Sequence, residues 1–354
     1  MTDLIEATAA LVAVPSESHH ESELADLVEK RLGGASHLRV DRVGDNVVAR
    51  TELGRAQRLV VAGHLDTVPA NGNGTPRVEG DVLWGLGSAD MKGGLAVMLE
   101  LATAIAEPAV DVTWVFYVAE EVAAVHNGLR ALFAEHPDLL AGDAALLGEP
   151  TDGVLEVGCQ GSMRLAVTLR GARSHTARPW MGRNALHRAG HLLAALDAYE
   201  GRRPVLDGCE YREALQAVFV EGGVAGNVVP DVATVTLNHR FAPDRTADEA
   251  RAHVEQVLAP YLEPGDDVEV VDVAAAAPPG LRHPLLAALR ARNDLDVRAK
   301  LGWTDVSRFA AAGIPAANFG PGDSALAHTR DERVERSSLE VVRDALADLL
   351  RHGA

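Results

Sequence analysis

Buryable residues near the start of the chain recur at three-to-four spacing: Leu4, Thr8, Leu11 and Val12, then Leu24, Leu27 and Val28. That period puts them on one helical face, so residues 1–32 are predicted as a helical entry interrupted near Pro15, which has no N–H to give to the ladder. Short apolar runs then alternate with helical stretches: a run at 59–62, a helix at 94–106, runs at 112–119 and 144–147, and between those two a helix at 127–135. Strands alternating with helices predict an α/β sheet. From about Ser162 the texture changes to a strand at 163–171, a helix at 184–199, strands ending at 223 and spanning 231–241, a helix at 247–261 and a strand at 267–273. The β-α-β-β-α-β order is that of a ferredoxin-like module able to close on itself. Pro278, Pro279 and Gly280 end it, and a helix at 283–292, a strand near 316–319 and a helix at 339–351 follow. The pattern therefore predicts one domain, residues 1–161 and 278–354, interrupted by a second, residues 162–277.

Charge and cysteine content narrow the chemistry. Thirty-three Lys and Arg against 51 Asp and Glu leave −18 over 354 residues, a field that repels nucleic acid and anionic lipid and argues against both as partners. No apolar run approaches the ~20 residues of a membrane span, and no basic segment precedes the first apolar residues, so a cytoplasmic protein is expected. Cys159 and Cys209 have no CxxC spacing, which leaves any metal to histidine and carboxylate.

Those residue types gather where strands end. The first run enters His64-Leu65-Asp66, the run at 112–119 enters Glu120-Glu121, and the run at 144–147 leads to Glu149. Open α/β sheets bind ligands outside the carboxyl ends of their strands, so these residues should converge, joined by Asp90 in GLGSADMKGG and His328 in ALAHTRDE. Taken singly each has a plain reading, such as a surface pair or an N-cap. Two adjacent carboxylates at the end of an eight-residue apolar strand are costly unless cations neutralise them. Two histidines with several carboxylates suit borderline metals such as Zn²⁺, and a shared carboxylate suits a two-metal hydrolytic site. GLGSADMKGG lacks the third glycine of a dinucleotide fingerprint, and no P-loop, G-x-S-x-G or H-E-x-x-H occurs.

Together GHLDTVP, GLGSADMKGG, Glu120-Glu121, LGEPT, GARSHTARP, GNVVPD, WTDVSRF, FGPG and the late AHT resemble the M20 metallopeptidase and deacylase family. The resemblance implies a zinc-peptidase-like α/β catalytic domain, a mixed β-sheet flanked by helices, carrying an inserted ferredoxin-like α+β dimerisation (lid) domain, and hence a homodimer. It implies two zinc ions per subunit, replaceable by cobalt, with Asp90 bridging them, His64 and Glu149 completing one site and Glu121 and His328 the other. Glu120 becomes the general base, and His175 donates a hydrogen bond to the developing oxyanion. Asp66, two residues after His64, is expected to hold the other ring nitrogen. Arg178, Asn227, Arg240, Thr304, Gly322 and Ser324 become substrate contacts. The substrate class is a small anionic N-acyl amino acid; the motifs lean to the desuccinylase branch, acting on N-succinyl-LL-2,6-diaminopimelate in lysine synthesis. Acetylornithine deacetylase, aminoacylase and carboxypeptidase are alternatives, and a catalytically silent metal-binding homologue is disfavoured by the complete ligand set. Between Glu156 and Asp197 no acidic residue occurs, while Arg164, Arg170, Arg173, Arg178, Arg183 and Arg188 all fall there. That segment reads as a local anion funnel with Arg178 the best ligand candidate, whereas Arg164, Arg170 and Arg188 read as solvated faces. The family's Glu-Glu-Gly and Gly-Arg-Gly are here Glu120-Glu121-Val122 and Gly85-Leu86-Gly87, and Gln160 stands where relatives often have arginine.

Overall fold

The strand Arg58–His64 is buried along nearly its whole length and lies between two parallel partners, Asp111–Tyr117 and Ala144–Leu147. Its apolar side chains have no polar alternation because both faces are covered. Around it runs an eight-stranded mixed sheet in the order Arg39–Val43, Asn46–Arg50, Asp111–Tyr117, Arg58–His64, Ala144–Leu147, Ala316–Asn318, Leu155–Val157 and Val297–Ala299. Four neighbouring strands in the middle are parallel, so their carboxyl ends open on one edge. A computed structural model describes residues 3–354 of the chain.

The helix Gly93–Ala104 has ten of its twelve residues buried, each large apolar side chain contributing roughly 1.5–3 kcal/mol. It packs on the sheet and against the helices Leu4–Val12, Ser22–Gly33 and Arg336–His352. Its start needs glycine: a Cβ on Gly94 would sit 2.4 Å from the Gly148 carbonyl oxygen. The close approach sets the loop that carries Asp90 directly over the strand ends. The predicted helical entry is two helices, with Pro15 in the loop between them.

The chain folds as two compact units. One comprises the chain up to Val157, Pro279–Arg298 and Arg308–Ala354; the other comprises Gly158–Pro278 and Ala299–Ser307. The second unit holds a four-stranded antiparallel sheet in the order Ala214–Gly222, Val232–Phe241, Gly161–Arg170, Asp267–Ala274. That order, with the helices Ala185–Asp197 and Ala247–Leu258 connecting the strands, is ferredoxin-like. Burial alternates strictly along Val232–Phe241. Leu165, Val167, Val235, Leu237, Leu192 and Val254 form its core with neighbours from both helices. Among the described residues no helix is long and apolar enough to cross a membrane.

Candidate metal centre

His64 closes the central strand and is 1% exposed. Its Nε2 lies 3.0 Å from Asp90 Oδ1. Asp90 arrives from the loop before the buried helix, where Gly87 takes φ +76 and the Asp90–Met91 peptide is cis. The second oxygen of Asp90, Oδ2, faces a different imidazole, His328 Nε2, at 3.6 Å. His328 also lies 2.8 Å from Glu121 Oε1. Asp90 thus presents one oxygen to each histidine. Ligand atoms of His64, Asp90 and Glu121 all fall within 4.8 Å of one another. Glu149, buried after the strand Ala144–Leu147, adds its charge to His64. Glu120 is half-buried beside Glu121.

Electrostatics of the cluster call for a cation. Burial opposes a charge on His64, yet the carboxylates of Asp66 and Asp90 outweigh it and lift the imidazole well above its usual pKa. Burial, reinforced by Asp90, raises Glu121 above the ordinary carboxylate range. His328 is likewise raised by Glu121 and Asp90 against the pull of burial. Imidazole and carboxylate donors without thiolate fit a borderline divalent metal; burial pushes the Cys159 thiol up to about 11, and that residue belongs to the other unit.

Several residues that build the site escaped the sequence. Asp66 was expected to hold the other ring nitrogen of His64, and its oxygens face Nδ1. The ring nitrogen lies closer to the Asp66 main-chain oxygen, at 3.0 Å, than to Oδ1, at 3.5 Å. The carboxylate also accepts the N–H groups of Glu120 at 2.9 Å and Glu121 at 3.0 Å, and the Ser18 hydroxyl at 2.7 Å. His64, with the N–H groups of Glu120 and Glu121, holds Asp66 well below the usual carboxylate range despite its burial. Glu21 accepts the N–H of Ala119, a residue at φ +57 that turns the chain into Glu120. Lys92 is buried and donates to the Val14 carbonyl, so the loop between the first two helices braces the segments that carry His64, Asp90 and Glu121.

The remaining predicted contacts divide between the units. Gly322 is buried at φ +85, where a Cβ would lie 2.8 Å from that of Ala89, so it packs beneath the Asp90 loop; Ser324 is exposed. His175, Arg178, Asn227, Arg240 and Thr304 belong to the second unit. There the Asn227 carbonyl accepts the Thr176 N–H and the His175 carbonyl accepts the Arg178 N–H, gathering three of the five on facing loops. His175 Nδ1 accepts from the Ala177 N–H at 3.0 Å, which leaves the proton of the neutral ring on Nε2. Thr304 is buried, its carbonyl facing Cys159 Sγ. The anion funnel is largely cancelled: Arg164 meets Asp272, Arg173 Asp231, Arg183 Glu263 and Arg188 Asp266. Among the described residues no carboxylate lies within ion-pair distance of Arg178 or of half-buried Arg240, whose pKa burial lowers. Gln160 is buried and binds both main-chain polar groups of Arg212.

Central parallel strands that lead into His64, Glu120-Glu121 and Glu149, gathered with His328 around one aspartate, define a metal-dependent hydrolase acting on amide bonds. The family described as Peptidase family M20/M25/M40 matches residues 60–352, and the chain belongs to it. A Mycobacterium tuberculosis protein named as a succinyl-diaminopimelate desuccinylase is 52% identical over 352 residues, covering 99% of this chain and 97% of the relative. A Corynebacterium glutamicum protein of the same name is 45% identical, covering 99% and 96%. The fold matches a tripeptidase structure from Staphylococcus aureus with a TM-score of 0.79 at 22% identity, over 99% of this chain and 97% of that one.

Proposed function

We propose that the protein hydrolyses the amide of N-succinyl-LL-2,6-diaminopimelate to succinate and LL-2,6-diaminopimelate, in the cytoplasm and within lysine synthesis. The observation that carries the reading is the Asp90 carboxylate facing His64 with one oxygen and His328 with the other; the two desuccinylase-named relatives supply the substrate. His64, Asp90 and Glu149 would hold one zinc ion, and Asp90, Glu121 and His328 a second, with cobalt able to substitute. Bound there, the ions supply Lewis acidity, acidifying a water and polarising the amide carbonyl. Glu120, its N–H anchored on Asp66, takes the proton from the attacking water and returns it to the leaving nitrogen. Asp66 fixes the adjacent glutamates and the His64 ring. From the second unit, His175 donates through Nε2 to the developing oxyanion.

Arg178 and Arg240, guanidiniums without a carboxylate of their own, are assigned the substrate carboxylates, where a planar fork can bind both oxygens. Asn227, Thr304 and Ser324 are assigned further polar contacts, and Gly322 support of the Asp90 loop. A homodimer through the second unit is supported by its edge strand Ala214–Gly222, which exposes Val218, Val220 and Phe219, the last at 66%. The test is kcat/KM of the zinc-loaded protein for N-succinyl-LL-2,6-diaminopimelate and for N-acetylornithine. Preference for the succinyl substrate is expected. The reverse order reassigns the acyl group, and hydrolysis of neither overturns the reading.

A further inference from the structure

We propose that Glu332 is a positioning residue that locks the Asp90 loop to the His328 loop, so that the two oxygens of Asp90 stay aimed at the two histidines. The inference rests on the metal-centre reading above. Glu332 follows His328 by four residues and is 1% exposed. Its own N–H donates to the Thr329 carbonyl, which fixes it within the His328 loop. Everything else it binds lies on the other loop. The Glu332 carbonyl accepts the Gly85 N–H at 3.0 Å. Its Oε1 accepts the N–H groups of Ala89 and Asp90, both at 3.1 Å, and the Gly87 N–H also points to the carboxylate. Main-chain N–H groups turned onto one point form a nest for an anion; here the chain fills the nest with a carboxylate of its own.

The Asp90 N–H is the polar group nearest the Asp90 side chain along the backbone, so its acceptor fixes where the bridging carboxylate starts. Gly322 packs against Ala89 so closely that a Cβ there would lie 2.8 Å from the Ala89 Cβ, leaving the loop little room to relax. Partners that orient ligands typically matter about 10–100-fold in metal affinity. What the arrangement requires of Glu332 is reach to the N–H groups.

Two conservative variants separate reach from charge. Glu332→Gln keeps an acceptor oxygen at the same distance and removes the charge; Glu332→Asp keeps the charge and withdraws the acceptor by one methylene. Zinc affinity is measured for the full chain by competition with a chromogenic chelator, beside the melting temperature of the metal-free protein. Positioning predicts that Glu332→Gln stays within about threefold of the parent while Glu332→Asp loses about tenfold or more, with both metal-free proteins melting close to the parent. Equal affinities in all three proteins, or loss in Glu332→Gln with none in Glu332→Asp, overturn the proposal. So does a loss in Glu332→Asp that is matched by collapse of its melting temperature. A parent chain that binds no zinc would instead bring down the metal-centre reading and the positioning role with it.

Discussion

The two units solve different problems with similar residues. In the first, His64 and Glu149 are buried at the ends of parallel strands, and the neighbouring segments are tied together across long stretches of sequence: Asp66 to Glu120, Glu21 to Ala119, Glu332 to Asp90. In the second, His175, Arg178 and Asn227 sit on loops, in a segment where Arg164, Arg173, Arg183 and Arg188 are each paired with an acid. A metal centre tolerates only small errors in ligand position, so its supports are internal and rigid. Under the proposed function, an anionic substrate would need a guanidinium free of competing carboxylates, the role proposed for Arg178 and Arg240. The contrast teaches that sequence segments rich in one charge say little until the opposite charges packed against them are known.

The largest expected effect falls on the first unit. Glu120→Gln should lower kcat by about 10²–10⁴ while zinc content stays at the parent value, read by steady-state kinetics beside elemental analysis. Parallel loss of metal would make Glu120 a ligand and blur its distinction from Glu121. A smaller effect belongs to the second unit: Arg178→Lys should cost roughly tenfold in kcat/KM, about 1.5 kcal/mol for one charged hydrogen bond, because a point charge cannot replace a fork. An unchanged Arg178→Lys enzyme would remove the residue from recognition and leave Arg240 to carry it.

The smallest effect concerns stability alone. His239 is buried in the second unit, and burial lowers its pKa from 6.5, the charges of His253 and Arg245 adding to this and that of Glu213 opposing it. Below pH 6.5 the unfolded chain takes up a proton that the folded one refuses, so this contribution to stability is present above that pH and fades as pH falls. The slope it adds is at most about 1.4 kcal/mol per pH unit. Comparing urea unfolding at pH 7 and pH 5.5, His239→Leu should show a shallower acid loss than the parent; an equal loss would reject the assignment.

Much of the first unit was legible in the sequence because strand ends announce themselves. An apolar run that stops at His64, or at Glu120-Glu121, locates a residue at the carboxyl edge of a sheet without any knowledge of the partners. The braces left no such mark. Glu21 and Ala119 are 98 residues apart, Asp90 and Glu332 are 242 apart, and each link joins a side chain to a backbone N–H, which every residue except proline has. The further bonds of Asp66 were hidden for the same reason, since its spacing from His64 was visible and its links to Glu120 and Glu121 were not. The acid-free arginine segment misled because Asp231, Glu263, Asp266 and Asp272 reach it from later in the chain.

Under the proposed function Asp90 serves two metal ions at once. Native mass spectrometry of the zinc-loaded parent and of three variants tests it directly. The parent should carry two zinc ions per chain, His64→Ala and His328→Ala one each, and Asp90→Ala none, because both histidines face that carboxylate. A parent chain that carries a single ion, or an Asp90→Ala chain that keeps two, would contradict the account.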